Sequence, residues 1–217
     1  MLSIDILLLV GSYLVGAIPF GYMLTRLRTG RDIREQGSGN IGATNVLRTQ
    51  GKSMGILTLL LDFGKAALAV NACRYLGAAP WLAAAGGFAA VFGHCFPVYI
   101  GFRGGKGIAS GLGAFTFISP AAALGGLVVW LLELVTLRYV SLGSILASLT
   151  FGGLLFLFRG VFGWYDLPTC LFGLGVSLLL VARHHSNIRN LLNGTEPTVW
   201  GEGSWKDLDG GGEGTNG

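Results

Sequence analysis

Three polar stretches interrupt an otherwise apolar chain, and each carries residue types suited to holding phosphate. They are "GSGNIGATN" at 37–45 with Arg48 and Lys52 beyond it, "GHCFPVYIGFRGGKG" at 93–107, and "RHHSNIRNLLNGTE" at 183–196. In the first, Gly37, Gly39 and Gly42 let backbone N–H groups turn inward around an anion, where side chains would obstruct. Ser38, Asn40, Thr44 and Asn45 add neutral hydrogen-bonding groups, and Arg48 a planar fork matched to phosphate oxygens. The Gly-Lys-Ser/Thr ending of a nucleotide-binding loop is missing. In the second stretch, Gly104, Gly105 and Gly107 surround Lys106 where a short helix begins, and a helix N-terminus is a natural anion seat. His94 lies one or two turns deeper. In the third, Arg183, His184 and Asn187 fall three or four apart on one helical face, His185 and Arg189 point elsewhere, and Glu196 closes the stretch. Each has a plainer reading: a flexible membrane-edge loop, lipid-headgroup anchors, a solvated helix end, a buried structural histidine. Their occurrence together favours anion binding.

The elements that must position these residues are membrane helices. Of the 217 residues, 52% are hydrophobic and only 12% charged, about half the charged share of a soluble domain. Apolar runs at about 4–25, 53–76, 80–100, 120–137, 139–158 and 164–183 have the length of bilayer spans. A shorter run, 107–118, reaches only partway at about 1.5 Å per residue. The basic cluster Arg26–Lys52 belongs in the cytoplasm by the positive-inside rule. Arg183 and Arg189 share that face only if 107–118 counts as a helix. The expectation is an all-α, polytopic membrane protein of seven transmembrane helices, with the N-terminus outside and the C-terminus cytoplasmic. Residues 1–195 form one transmembrane domain, and 196–217 a Gly-rich, disordered cytoplasmic tail. The first span has no basic leader or cleavage site and is retained. Cys73, Cys95 and Cys170 have no metal-ligand spacing and read as reduced thiols. The basic clusters lie between spans, so nucleic acid is not the expected partner. Asp62 and Lys65, spaced i, i+3 inside the second span, read as a structural ion pair bracing a polar cavity.

Together, "SGNIGATNVLRTQG", "GHCFPVYIGFRGGKGIASGLG" and "RHHSNIRNLLNGTE", with "LLDFGKAAL" in the second span, resemble the bacterial membrane-bound acyl-phosphate-dependent glycerol-3-phosphate acyltransferases. The resemblance runs from about residue 10 to 197. Ala66, where glycine is usual, and Ser186, where an acidic residue is common, depart from the pattern. The resemblance implies transfer of an acyl group from acyl phosphate to the 1-hydroxyl of sn-glycerol 3-phosphate, giving lysophosphatidic acid and phosphate. It implies no cofactor and no metal, at the cytoplasmic face of a bacterial inner membrane. The donor arrives from the lipid or from a soluble acyl-phosphate-forming enzyme.

On this reading Arg48 and Lys106 hold glycerol 3-phosphate with Ser38, His184 and Asn187 orient its hydroxyls, and the glycine amides hold the acyl phosphate. Cys95 is adjacent to His94 and so faces away from it, and Ser38 has no base nearby in sequence, although a distant histidine could approach it in the fold; direct attack by the substrate hydroxyl is the favoured reading. Either His184 or a substrate phosphate oxygen takes the proton. Two rivals remain. A phosphate or organophosphate transporter would show midplane binding groups and an inverted repeat. A metal-dependent phosphotransferase would need closely spaced carboxylates, whereas Asp62 is isolated.

Overall fold

A computed structural model describes residues 2–199. The described residues form helices α1 (Leu2–Gly16), α2 (Phe20–Thr29), α3 (Ala43–Gln50), α4 (Lys52–Leu76), α5 (Leu82–Cys95), α6 (Ile108–Ile118), α7 (Pro120–Thr136), α8 (Val140–Phe162), α9 (Leu167–Arg183) and α10 (His185–Leu192), with no strand among them. All seven apolar runs are therefore helical, and the protein is an all-α integral membrane protein. Four helical stretches, 4–29, 52–76, 82–100 and 140–162, are long and apolar enough to cross a bilayer, and α9 with α10 makes a fifth if the bent pair counts as one.

Local chemistry sets the breaks. Pro19 has no N–H to donate and disfavours helix in the residue before it, so the first span splits into α1 and α2. The Ile18 carbonyl at the break accepts a hydrogen bond from Lys65 Nζ at 2.8 Å. Ser119 ends α6 and caps α7, accepting the Ala122 amide at 3.3 Å, with Pro120 in the first turn where no N–H is needed. Helix α8 runs four residues past the expected end at 158, because Arg159 does not stop it. Its guanidinium reaches the Tyr165 carbonyl instead, and Gly163 at φ 66° supplies the cap.

The core joins α4, α5, α6, α8 and α9 through Val70, Val91, Phe115, Phe151, Val176 and Leu180. Glycines allow the backbones to meet: a Cβ on Gly93 would strike the Tyr13 carbonyl of α1, and one on Gly113 the Phe63 carbonyl of α4. Such contacts let helices associate where lipid offers no hydrophobic gain. Of the expected tail, Glu196 to Val199 fold back onto the helices, the Val199 amide donating to the Arg138 carbonyl at 3.0 Å. The rest of it, from Trp200, lies outside the described residues.

Candidate active site

The stretch 37–48 is only half loop. Ala43–Gln50 is helical, so Thr44, Asn45 and Arg48 project from α3; the Asn45 amide is taken by the Gly42 carbonyl at 3.1 Å, which leaves those of Ala43 and Thr44 at the helix start. Asn45 braces the loop rather than offering itself to an anion. Its Oδ1 accepts the Ser38 amide at 2.9 Å, and its Nδ2 donates to the carbonyls of Gln36 at 3.0 Å and Asn40 at 2.8 Å. The Gly42 amide is taken by Asn40 Oδ1 at 2.8 Å. The Gly39 amide donates to the Gln36 carbonyl at 3.0 Å, so the amides of Ser38, Gly39 and Gly42 are all committed to the loop rather than to a phosphate, and Gly37 and Gly39 serve its turns at φ 54° and 70°. Ser38 and the first residues of α3, Ala43 and Thr44, line the cavity.

The glycine-rich connection before α6 is pinned on both sides. The Gly105 amide donates to the His94 carbonyl at 3.2 Å. The Arg183 guanidinium donates to the carbonyls of Gly105 and Gly104, both at 3.1 Å, and lies 5.2 Å from the centroid of the Phe96 ring. Gly104 and Gly105 are needed for this approach, since a Cβ on either would overlap His94. Beneath the loop, Lys65 Nζ stands 2.8 Å from Asp62 Oδ1 and 3.0 Å from His94 Nδ1, with all three side chains buried. The expected Asp62–Lys65 pair is present, and His94 is its third member.

Lys106 points to the third stretch. Its Nζ donates to Asn187 Oδ1 at 2.6 Å, Asn187 Nδ2 donates to Glu196 Oε1 at 2.6 Å, and Ser141 Oγ donates to the same oxygen at 2.5 Å. Burial pushes the Lys106 ammonium below its ordinary pKa, Glu196 opposes the shift, and Arg48 and Arg183 add to it. The expected continuous helix through 183–187 breaks at His184, where α9 and α10 meet at 55°. The bend brings His185 to the cavity wall too, contrary to the single-face expectation. His184 is 3% exposed, and its Nδ1 lies 2.8 Å from the Leu180 carbonyl. A carbonyl only accepts, so Nδ1 carries the proton and Nε2 is the free lone pair. Burial lowers its pKa to about 4, partly opposed by the Leu180 hydrogen bond.

All three stretches line one cavity of about 840 Å³, polar at its mouth and apolar within. Ser38, Arg48, Lys106, Arg183, His184, Asn187 and Glu196 stand at the mouth, and Leu112, Phe115, Leu127 and Phe151 deeper. Among the described residues no group of three or more His, Cys, Asp or Glu side chains is placed to hold a metal ion.

A family profile described as glycerol-3-phosphate acyltransferase matches residues 6–194. The chain belongs to that family. A glycerol-3-phosphate acyltransferase of Gluconobacter oxydans (strain 621H) is 47% identical over 196 residues, covering 89% of this chain and 92% of the relative. One from Aquifex aeolicus (strain VF5) is 42% identical over 190 residues, covering 87% and 96%. The solved structure of PlsY (YgiH), an integral membrane glycerol 3-phosphate acyltransferase, in its glycerol 3-phosphate form, aligns with TM-score 0.82 at 38% identity, covering 91% of this chain and 96% of that one. Its lysophosphatidic acid form aligns with TM-score 0.80 at 35% identity, covering 94% and 98%. The resemblance read from the motifs is borne out, and the protein is a multi-pass membrane acyltransferase. The transporter alternative has no support among these relatives.

In this acyltransferase, sequence reasoning passed over Ser141, which holds Glu196. The signal was present in "SLGSILAS" at 141–148, where serines recur at three and four residues along an apolar helix.

Proposed function

We propose that this acyltransferase moves a fatty acyl group from acyl phosphate to the 1-hydroxyl of sn-glycerol 3-phosphate, releasing lysophosphatidic acid and phosphate. The observation that carries the reading is the cavity shared by all three stretches, with a cationic mouth and an apolar interior. That shape matches one substrate that is wholly polar and another that joins a phosphate to a fatty chain. The two bound forms of the similar PlsY structures, glycerol 3-phosphate and lysophosphatidic acid, support the same acceptor and product.

Arg48 and Lys106 hold the glycerol phosphate, helped by the Ser38 hydroxyl. Asn187 and His184 orient the glycerol hydroxyls, with His184 Nε2 accepting the hydrogen bond of the attacking one. The N-termini of α3 and α6 face the acyl phosphate, since their amides favour an anion. The hydroxyl oxygen bonds to the acyl carbon, the carbon–oxygen bond to phosphate breaks, and the hydroxyl proton leaves with the phosphate. With a pKa of about 4, His184 is too weak a base to hold that proton at neutral pH. Acyl phosphate is already activated, so position and charge stabilisation suffice without an acyl-enzyme. Seven crossings, with the mouth on the cytoplasmic side of a bacterial inner membrane, give every basic cluster the cytoplasmic face. Acyl phosphate comes from the lipid phase or from a soluble enzyme that makes it.

Purified protein mixed with acyl phosphate and glycerol 3-phosphate should release phosphate and form lysophosphatidic acid, equally with and without chelator. Absence of both products would refute the reading, and loss of activity on chelation would point to a metal.

A further inference from the structure

The cavity does not end at its polar mouth. It continues inward as an apolar arm between α6, α7 and α8, along Leu112, Leu127, Ala147 and Ser148. The serines do not make it polar: Ser148 Oγ donates to the Ser144 carbonyl at 2.7 Å and Ser144 Oγ to the Val140 carbonyl at 2.7 Å, both within α8. Val140 and Phe151 both line the cavity, and between them α8 advances eleven residues (140 to 151), about 16 Å of helix. Half of a bilayer's hydrocarbon core, the reach of one leaflet's chains, is about 15 Å. From its mouth to the rings the cavity therefore has about the depth of one leaflet's hydrocarbon.

Two aromatic rings close its inner end. Phe115 of α6 and Phe151 of α8 stack with centroids 3.5 Å apart at 15° and are 6% and 0% exposed. The next inward-facing residues on the same helices, Leu155 and Ile118, are 0% and 7% exposed in the core, and Ile118 is also on the wall of a separate cavity of about 330 Å³. Close-packed side chains yield little to an added methylene, so a chain that reaches the stacked rings meets resistance there.

We propose that the stacked Phe115–Phe151 pair is the floor of the acyl subsite and sets the longest acyl chain the enzyme accepts. The inference rests on the acyltransferase reading above and adds to it the residues that measure the donor. One methylene beyond the fit lowers kcat/KM by about 10-fold or more, the usual discrimination of an apolar pocket.

The test is kcat/KM for a series of saturated acyl phosphates of increasing length at saturating glycerol 3-phosphate, using the full chain in detergent. Phe151→Ala should raise the rate with chains two carbons beyond the original optimum at least 10-fold relative to that optimum. Phe115→Leu, a milder change that keeps an apolar side chain, should move the profile the same way even if Phe151→Ala fails to fold. Ser148→Leu, partway along the arm, should penalise long chains at least 10-fold more than short ones. The KM for glycerol 3-phosphate should stay within about threefold throughout. Active floor variants that keep the original length profile would overturn the proposal and leave the acyltransferase reading intact. If the unaltered chain transferred no acyl group of any length, both would fall.

Discussion

Replacing Gly105 by alanine tests the site through a single methyl group. A Cβ there would overlap His94 Nε2. The imidazole cannot retreat, because its Nδ1 is 3.0 Å from Lys65 Nζ, Asp62 Oδ1 is 3.5 Å away and the residue is 3% exposed. Restoring ordinary contact, about 3.5 Å between heavy atoms, requires the loop itself to back away by about 1 Å. Lys106 is the next residue, and its 2.6 Å hydrogen bond to Asn187 does not survive such a shift in good geometry. A misplacement of about 1 Å in a positioning group costs about 100-fold, or roughly 2.7 kcal/mol. The assay is kcat/KM for phosphate release from acyl phosphate and glycerol 3-phosphate, with thermal unfolding in detergent measured on the same preparation. Gly64→Ala is the control: it lies next to Lys65, but its Cβ would meet nothing within 4 Å. That variant should keep kcat/KM within about twofold and gain up to about 1 kcal/mol of stability. Near-normal kcat/KM in a folded Gly105→Ala would refute the link between His94, the loop and Lys106.

Three further outcomes follow from the same geometry. Arg48→Ala and Lys106→Ala should each lose about 2–4 kcal/mol of transition-state stabilisation in kcat/KM, whereas Cys95→Ala, buried and away from the cavity wall, should retain activity. His184 is held neutral with a pKa near 4 against an ordinary 6.5, so the unfolded chain takes up a proton that the folded one refuses as pH falls between those values. Stability is full above about pH 6.5 and lower below it; the loss from pH 7 to 5 is about 2 kcal/mol, seen as a steeper fall in unfolding temperature than in His184→Gln. Asp62→Asn or Lys65→Met alone leaves a buried partner uncompensated and should cost about 3–5 kcal/mol, while Asp62→Leu combined with Lys65→Met should recover much of that loss. Single variants with unchanged unfolding temperature would mean that the pair is not ionic in the folded protein.

Much of the architecture was legible because bilayer spans are written in long apolar runs. All seven runs are helical, though the first, read as one span, is split in two at Pro19, and Ser119-Pro120 marks a break and a cap through chemistry that acts within a few residues. The Asp62–Lys65 pair was readable for the same reason, since i, i+3 spacing puts both on one face. Residue types also disclosed the three phosphate-suited stretches and, through their motifs, the family. Other features depended on contacts between residues far apart in the chain. That Asn45 would spend its amide on the loop, that His94 would join the buried pair, and that Arg183 would grip the carbonyls of Gly104 and Gly105 are outcomes of packing. The bend at His184 and the hold of Ser141 on Glu196, 55 residues later, belong with them. Local composition encodes which segments leave water and where a helix must stop. Only helix packing decides which polar groups satisfy one another and which are left facing the substrate, because a buried polar atom takes whatever partner the fold brings within reach.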